Sequence, residues 1–407
     1  MTDLLIGRQP IFNRSLNVAA YELLYRSVGQ GNKARIVDGD QATTQVIINT
    51  FSEIGLDALA GSANVFINVT RNFLLGKYPI PLPPSRVVLE VLEDIPIDPP
   101  LVEALRTLSH NGFTLALDDV VSIKPIQPLL GLAKIVKVDI LGMDRRVLQN
   151  IVVNLKPYKI LLLAEKVETQ QEFDFCCRLG FDFFQGYFLC KPSIISGHKL
   201  DASRLVVLRS LAKLQDSKAN FQEMEEIVAQ DVSLGYKLLK LINSGYYSLA
   251  TTVKSIRQAI SLIGVNQLRA WMTLLLMATV ENKPNELVSI AMQRAKLCEM
   301  FARAKNMSSP ETHFLVGLLS VLDALMDMPM DQVLLNVPVS NEIAAALLAK
   351  SGDCGLILKT VIAYEQGDWD TVLKLNLSSE TIRTIYLNAI QWATYITNDM
   401  VSSVQGS

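Results

Sequence analysis

Two neighbouring carboxylates, Asp118 and Asp119, stand directly after the apolar segment 113–117. A second apolar segment, residues 135–139, carries Lys137 between two valines and ends in Asp139. Adjacent carboxylates repel each other and are costly to bury unless a cation lies between them. A hard divalent ion, which prefers oxygen ligands, is the usual cation in such a place. These residues therefore predict a metal site where buried strands end.

The elements around these residues alternate between short apolar strands and helices from about residue 4 to residue 200. Strands are predicted at 17–24, 64–69, 86–91, 113–117, 133–138, 160–164 and 181–184, and helices at 41–54, 100–108, 145–156 and 169–179. Such alternation is typical of parallel βαβ units. Seven or eight strands in about 200 residues favour a closed (β/α)8 barrel over an open sheet.

Nearly every predicted strand ends in an acid or an amide, and the carboxyl ends of barrel strands meet at one rim. These residues and their polar neighbours are Glu22, Asn68, Glu90, Asp118, Asp119, Lys137, Asp139, Glu165 and Gln185. Any single one of them would also suit a loop in contact with water. Because the set is rich in oxygen ligands and contains no His or Cys, it favours magnesium, manganese or calcium over zinc.

The order of these residues resembles the EAL domain, the phosphodiesterase fold that linearises the bacterial second messenger cyclic di-GMP. Glu22-Leu-Leu matches the Glu-Ala-Leu signature, and Gln9-Pro-Ile matches the Gln-Pro-Ile that precedes it. Arg26 falls on the arginine that contacts a nucleotide phosphate. The resemblance covers about residues 4–195. It implies a TIM-like barrel that binds two metal ions, magnesium or manganese.

The resemblance also implies a role for each residue of the rim. Metal ligands would be Glu22, Asn68, Glu90 and Asp118 for one ion, with Asp118 and Asp119 reaching a second. Catalytic residues would be Lys137, Glu165 and Gln185, and substrate-binding residues would be Gln9 and Arg26. Two metal ions in such a site activate a water molecule and stabilise both the attacking and the leaving oxygen.

The loop after the paired aspartates departs from the family pattern. Active EAL domains have Phe-Gly-Thr-Gly there, whereas this chain has Val120-Val-Ser-Ile123. Positive φ angles, which glycine adopts freely, are costly for the β-branched side chains of Val121 and Ile123. A further glycine of the family, after Glu165, is replaced by Lys166, which is expected to place a cation close to Glu165. The sequence thus predicts a site that can bind metal but has an altered catalytic loop.

The second half of the chain, from about residue 203 to residue 401, is predicted to form consecutive helices, because apolar residues recur at helical spacing. Residues 227–244 and 253–264 resemble the HDOD domain, an all-helical relative of the HD-superfamily phosphohydrolases. Catalytic HD enzymes need paired histidines and a His-Asp step, but Ser320-Val321 stands where that step would fall. His313 is the one histidine of this half and is expected to be structural. The resemblance therefore implies a non-catalytic domain that serves interaction or output.

The composition limits the remaining possibilities. The 407 residues are 50% apolar and 19% charged, which argues against a disordered chain and allows two domains, predicted at 1–198 and 199–407. With 38 basic against 40 acidic residues and no basic block, binding to a nucleic-acid polymer is not expected. Five cysteines without a CxxC pair, and no apolar run of membrane-spanning length, predict a soluble cytoplasmic protein.

Two functional hypotheses remain open. In the first, the protein belongs to the cyclic di-GMP network, its degenerate EAL domain is a sensor or scaffold, and its HDOD domain contacts a protein partner. In the second, the EAL domain is an active metal-dependent phosphodiesterase that produces the linear dinucleotide pGpG. The retained ligands favour the second hypothesis, and the altered loop with Lys166 favours the first, which we prefer. Family dimers use the region of the altered loop, so a homodimer stays an open alternative.

Overall fold

The computed structural model describes residues 3–28, 55–191, 202–215, 255–280 and 283–402, together with residues 235, 238–239, 242–243 and 253. Contacts between residues divide the chain into two compact units. The first contains Met1–Leu189 and Tyr364–Arg383, and the second contains Cys190–Ala363 and Thr384–Ser407. The predicted boundary between residues 198 and 199 lies outside the described residues, and it would place residues 364–383 in the second domain instead.

The first unit is built on a closed barrel of eight strands that follow one another in chain order, so the predicted barrel is confirmed. The strands are β1 (Asp3–Asn13), β2 (Val18–Val28), β3 (Asn64–Val69), β4 (Val87–Val91), β5 (Thr114–Leu117), β6 (Ile135–Asp139), β7 (Leu161–Glu165) and β8 (Phe183–Phe184). Neighbouring strands from β2 to β8 are parallel.

Strand β1, which is not among the strands predicted from the sequence, is antiparallel to both β2 and β8. A tight turn joins β1 to β2, in which the Asn13 side chain accepts hydrogen bonds from the Ser15 and Asn17 amides. A turn this short allows only antiparallel pairing, because a parallel pair needs a crossover of a dozen or more residues.

Helices with defined caps connect the strands of the described barrel. They are α1 (Leu56–Ala60), α2 (Arg71–Leu74), α3 (Pro99–His110), α4 (Arg145–Leu155) and α5 (Gln170–Leu179). Asp98 caps α3, Asp144 caps α4, and Thr169 forms a capping box with Glu172 at the start of α5. Because such caps satisfy amides that lack a partner in the helix, they fix where each helix begins. The helix predicted at 41–54 lies outside the described residues.

One residue from each strand contributes to a single apolar layer inside the barrel. The layer consists of Ile11, Ala20, Phe66, Val88, Ala116, Ile135, Leu163 and Phe183. Side chains of a strand point alternately to its two faces, so residues two positions apart face the same side. The residue two positions from each member, toward the rim where β2 to β8 end, therefore also faces the interior.

Strands β1 and β2 extend beyond the rest of the barrel as a two-stranded ribbon. Each is 11 residues long, whereas β2 pairs with β3 only from Ala20 to Glu22. The segment Tyr364–Arg383 packs on this ribbon within the first unit. The Tyr364 hydroxyl donates a hydrogen bond of 2.7 Å to the Ile6 carbonyl oxygen. The Trp369 ring lies so close to Gly7 that a Cβ on this residue would stand 3.1 Å from its Cη2 atom.

All the regular elements that the structure describes from residue 202 onward are helices, as predicted. They are α6 (Ala202–Gln215), α7 (Ile256–Ile263), α8 (Val265–Met277), α9 (Asn285–Ala304), α10 (Pro310–Leu319), α11 (Leu322–Met326), α12 (Met330–Asn336), α13 (Asn341–Ala349), α14 (Gly352–Glu365), α15 (Trp369–Leu373) and α16 (Ser379–Ser402). No single described helix is long and apolar enough to cross a membrane. The pair Pro310–Met326 and Met330–Asn336 has the length and composition together, but it is bent by 104°.

Helices α9 and α10 approach each other closely at Gly317, where a Cβ would lie 2.5 Å from the Arg294 carbonyl oxygen. We expect Gly317→Ala to lower the free energy of unfolding by about 1–3 kcal/mol, the usual cost of overpacking. Urea denaturation followed by circular dichroism measures the change. Gly131→Ala is the control, because a Cβ there meets no atom within 4 Å. Equal stability of both variants would contradict the close packing of α9 and α10.

Candidate functional site

Eight polar residues form a ring directly above the apolar layer, each two positions along its strand from a member of that layer. This polar layer consists of Gln9, Glu22, Asn68, Glu90, Asp118, Lys137, Glu165 and Gln185. Strand register pairs Gln9 with Glu22 and Asn68 with Glu90. Because the barrel closes, side chains that are distant in sequence converge on its axis. All eight are residues that the sequence had singled out.

The Lys137 ammonium lies at the centre of the polar layer. Its Nζ atom is 2.6 Å from Glu90 Oε1, 2.8 Å from Asp118 Oδ1, 3.0 Å from Glu165 Oε1 and 3.3 Å from Glu22 Oε2. The lysine side chain is fully buried on strand β6. A buried ammonium is tolerated only when it is paired, and here four carboxyl groups share one cation.

The excess of acid in the polar layer changes the proton affinity of its members. Burial and the charge of Glu22 raise the pKa of Glu90 well above its usual range, against the opposing effect of Lys137. Burial likewise raises the pKa of Glu165 to about 8. Burial works to lower the pKa of Lys137, but the surrounding carboxylates, led by Glu90, outweigh it and raise this pKa well above its usual range. The lysine therefore stays charged, while Glu90 and Glu165 hold protons more readily than ordinary glutamates.

Two amide side chains orient the carboxylate of Glu22. Gln185 Nε2 donates hydrogen bonds of 2.8 Å to Glu22 Oε2 and to Gln9 Oε1. Asn68 Nδ2 donates to Glu22 Oε1 at 3.3 Å. Gly186, which sequence reasoning missed, allows Gln185 to reach this place, because a Cβ on it would stand 2.1 Å from the Val167 carbonyl oxygen. The glycine that directly follows Gln185 was the signal for this close approach.

The oxygen ligands of the polar layer fit one divalent ion. Buried acceptor atoms without a hydrogen bond from the described residues include Asn68 Oδ1, Glu90 Oε2 and Glu165 Oε2. Together with Glu22 and Asp118 they provide an oxygen-rich, negatively charged set of the kind that magnesium and manganese prefer. In the described part of the chain, no group of three or more Asp, Glu, His or Cys side chains has an arrangement that could already hold a metal ion. We attribute this to the Lys137 ammonium, which lies among the carboxylates.

A second group of charges, made of Asp119, Asp139 and Lys166, lies at the outer edge of the polar layer. Lys166 Nζ donates a hydrogen bond to Asp139 Oδ2 and lies 3.8 Å from Asp119 Oδ1. Both Asp119 and Lys166 have positive φ angles, of 44° and 55°. Burial and the neighbouring charge of Asp118 raise the pKa of Asp119. The lysine that was expected close to Glu165 pairs with two aspartates, and the charge of Glu165 also acts on it.

The loop after Asp119 contains no positive φ angle at the two positions where the family has glycine. Val121 and Ile123 both keep negative φ angles, and the Val121 side chain is 64% exposed. Val120 is buried, and its amide donates a hydrogen bond of 2.9 Å to the Lys137 carbonyl oxygen. The start of the loop is therefore attached to β6, whereas the following residues point into solvent.

The backbone of Arg26 belongs to β2, opposite Leu5 of β1, but its side chain is not among those that the structure describes. Its predicted contact with a phosphate group therefore stays a prediction.

In the helical unit, a guanidinium group lies beside Ser320, the position at which the His-Asp step of catalytic HD enzymes would fall. Arg294 is buried, and its Nη1 atom donates a hydrogen bond of 3.2 Å to Ser320 Oγ. Ser320 in turn donates to the Gly317 carbonyl oxygen. His313 is buried, and its Nδ1 donates to the Ser309 carbonyl oxygen at 3.2 Å. A buried cation beside Ser320 opposes the binding of a metal ion there.

The fold and the polar layer define a class of protein, the EAL-type barrels with a rim of carboxylates, amides and one buried lysine. The EAL domain model matches residues 8–192, and the HDOD domain model matches residues 202–334. The chain belongs to the family of proteins that combine an EAL domain with an HDOD domain.

Two relatives span nearly the whole chain. The uncharacterized protein YuxH of Bacillus subtilis is 35% identical over 398 residues, which are 95% of this chain and 97% of YuxH. The cyclic di-GMP phosphodiesterase CdgJ of Vibrio cholerae is 31% identical over 403 residues, which are 95% of this chain and 92% of CdgJ. Among solved structures, a standalone EAL protein of Vibrio cholerae in its c-di-GMP-bound form has 23% identity over 47% of this chain and 93% of that chain, with a TM-score of 0.37.

The central ammonium leads to a stability prediction. We expect Lys137→Met to lower the free energy of unfolding by about 3–5 kcal/mol, because four carboxyl groups lose the cation they share. The midpoint of urea unfolding measures the loss. Added Mn²⁺ should raise this midpoint more in the variant than in the wild type, because the ion replaces the missing charge.

Lys134→Met is the matched control, since Lys134 is exposed and directly precedes the same strand. It is expected to change the midpoint little. Equal midpoints for the two methionine variants would show that Lys137 does not balance the polar layer.

Proposed function

We propose that the barrel binds cyclic di-GMP at the polar layer as a metal-dependent receptor, and that the helical unit passes this state to a protein partner. The observation that carries the proposal is the polar layer itself, in which every strand contributes one side chain of the required type. The relative CdgJ is a cyclic di-GMP phosphodiesterase, which supports this choice of ligand.

The residues of the polar layer have separate tasks in this proposal. Glu22, Asn68, Glu90 and Asp118 would hold the ion, which supplies positive charge for a phosphate group. Gln9 and Arg26 would bind the rest of the nucleotide. Lys137, held 3.0 Å from Glu165 Oε1, would balance the charge of the carboxylates around the ion, and Glu165 with Gln185 would keep their neighbours oriented.

The altered loop is the reason to prefer a receptor over a hydrolase. The β-branched residues Val121 and Ile123 keep negative φ angles, so the loop lacks the conformations that two glycines would allow. Hydrolysis requires groups held close to one geometry, and a displacement of about 1 Å can cost a hundredfold in rate. Binding tolerates such displacement better than catalysis does, because it needs no alignment of reacting atoms.

An active phosphodiesterase is the second candidate. It is favoured by the completeness of the polar layer, in which Lys137 pairs with both Glu22 and Glu165, and Gln185 is hydrogen-bonded to Glu22. The similarity to CdgJ over 95% of this chain also favours it. The two candidates share the ligand and differ only in whether the ester bond is broken.

The helical unit is proposed to be non-catalytic. The Arg294 guanidinium beside Ser320 supports this reading, because a metal ion would meet a fixed positive charge. An open cavity of about 380 Å³ lies elsewhere in this unit, lined among others by Gln215, Arg269 and Ile343. Neither Ser320 nor His313 lines it.

Calorimetric titration of cyclic di-GMP into the full chain with Ca²⁺, followed by an assay for pGpG with Mg²⁺ or Mn²⁺, tests the function. We expect binding in Ca²⁺ and no pGpG in Mg²⁺ or Mn²⁺, because the ligands are complete but the loop is not. Release of pGpG at rates typical of enzymes would establish the second candidate. Absence of binding would overturn both candidates and leave a scaffold that acts through protein contacts.

Two sets of variants sharpen the result. Arg26→Ala should weaken binding by about ten- to a hundredfold, the loss of a charged hydrogen bond, whereas Arg106→Ala on the exposed face of α3 should not. The triple variant Val121→Gly, Ile123→Gly and Lys166→Gly, which also removes the ammonium beside Asp119, should gain hydrolysis over the wild type. Ser122→Gly combined with Lys166→Gly, which adds a glycine to the same loop but keeps both β-branched residues, is its control.

A further inference from the structure

The two neighbouring aspartates of the rim face two different lysines. Asp118 Oδ1 is 2.8 Å from the Lys137 ammonium, and Asp119 Oδ1 is 3.8 Å from the Lys166 ammonium. Lys166 is also hydrogen-bonded to Asp139, the last residue of β6, whose other oxygen accepts from the Leu141 amide. The second group of charges is thus already linked by a cation that belongs to the chain.

The backbone at Lys166 shows that this position is unusual for a lysine. Its φ angle of 55° lies in the left-handed region, which costs energy for any residue with a Cβ. The residue directly follows β7, whose last member, Glu165, stands opposite Asp139 in the parallel register. This register places the Lys166 side chain at the right distance to reach both Asp139 and Asp119.

We propose that the Lys166 ammonium replaces the second divalent ion, so that the barrel holds one ion instead of two. The oxygen ligands of the polar layer fit one ion, whereas the Asp119 carboxylate lies beside the Lys166 ammonium. An ion bound at Asp119 would stand within a few ångströms of that ammonium and be repelled by it. The inference deepens the proposed function, because a site without a clamp of two ions loses the means to stabilise the leaving oxygen.

Titration of the full chain with Mn²⁺, read by calorimetry and by electron paramagnetic resonance, tests this inference without any activity measurement. We expect the wild type to bind about one Mn²⁺ per chain with the signal of an isolated ion. Lys166→Gly should bind about two, with the spin coupling of ions roughly 4 Å apart. Lys166→Asn, which tolerates a positive φ angle but carries no charge, should behave like the glycine variant.

Lys159→Gly is the matched control, because Lys159 is an exposed lysine with a φ angle of 54° just before β7. It relieves the same backbone conformation but leaves the charges of the rim unchanged, so we expect about one Mn²⁺. Two coupled ions in the wild type would overturn the inference. It would also be overturned if neither Lys166→Gly nor Lys166→Asn bound an additional ion. Because no nucleotide is present, a failure to bind cyclic di-GMP would not affect this result.

A second inference follows from the ribbon of β1 and β2. Leu24 follows Glu22 two positions along β2 and shares its face, and Gly7 is its partner on β1. A Cβ on Gly367 would stand 3.3 Å from Leu24 Cδ1, and the Trp369 ring lies against Gly7. Both Trp369 and Tyr364 are buried, with their rings 5.0 Å apart at 82°.

We infer that the segment 364–373 covers the face of the ribbon that the nucleotide must use, and that the two compete for it. A nucleotide that is held by the ion at Glu22 and extends along the same face of β2 has to pass over Leu24, which leaves little room beside Gly367. This inference rests on the proposed ligand. With such a cover, the apparent affinity equals the intrinsic affinity multiplied by the fraction of molecules in which the cover is open.

Titration of cyclic di-GMP with Ca²⁺ into Trp369→Ala tests the competition. We expect the apparent affinity to rise by about tenfold or more, because the cover opens more often. Tyr364→Phe, which removes the hydrogen bond to Ile6 but keeps the ring, should give a smaller rise. Hydrogen exchange of residues 366–373 should become faster when the wild type is saturated with nucleotide.

Each failure has its own signature. Binding in neither the wild type nor Trp369→Ala would overturn the proposed ligand together with the cover. Equal or weaker binding by a folded Trp369→Ala variant, or slower exchange in residues 366–373 on saturation, would overturn the cover alone. Binding by both proteins, tighter in the variant than in the wild type, would support the ligand and the cover.

Discussion

The buried ammonium of Lys137 is the interaction on which the rim of the barrel depends. Four carboxyl groups, carried by β2, β4, β7 and the residue after β5, lie 2.6 to 3.3 Å from its Nζ atom. This single cation therefore joins these four elements to β6. Burial is the main cause of the raised pKa values of Glu90 and Glu165, and the neighbouring carboxylates, which one positive charge cannot neutralise, raise them further. The same excess of carboxylates makes this place attractive for a divalent ion.

The alternation of side chains along the strands explains how the barrel holds a ring of polar side chains above its apolar core. An apolar layer fills the barrel, and a polar layer lies one pleat above it, with one residue of each kind from every strand. Seven of the eight polar residues drew attention because an acid, an amide or a lysine near the end of an apolar strand is chemically unusual, whereas Gln9 was named only through the resemblance to the EAL domain. Their arrangement in a ring follows from barrel closure and needed no information beyond the order of the strands.

Other features depended on contacts that local patterns do not contain. The antiparallel course of β1 follows from the short turn at Asn13, which the prediction of parallel units overlooked. The sequence predicted that Lys166 lies close to Glu165, but not that its ammonium also reaches Asp139 and Asp119, because neighbouring strands place a side chain of this length. The return of the segment Tyr364–Arg383 to the barrel unit has no local signal at all, since its partners lie at the other end of the chain.

The distance between these partners has a consequence for synthesis on the ribosome. Ile6 and Tyr364, which share a hydrogen bond, are 358 residues apart. At a rate of 5–20 residues per second, the ribbon of β1 and β2 emerges roughly 20–70 s before the aromatic side chains that cover it. During this interval the growing chain exposes backbone and apolar groups that the finished protein conceals. Selection against aggregation must therefore act on a nascent form that the mature protein never displays.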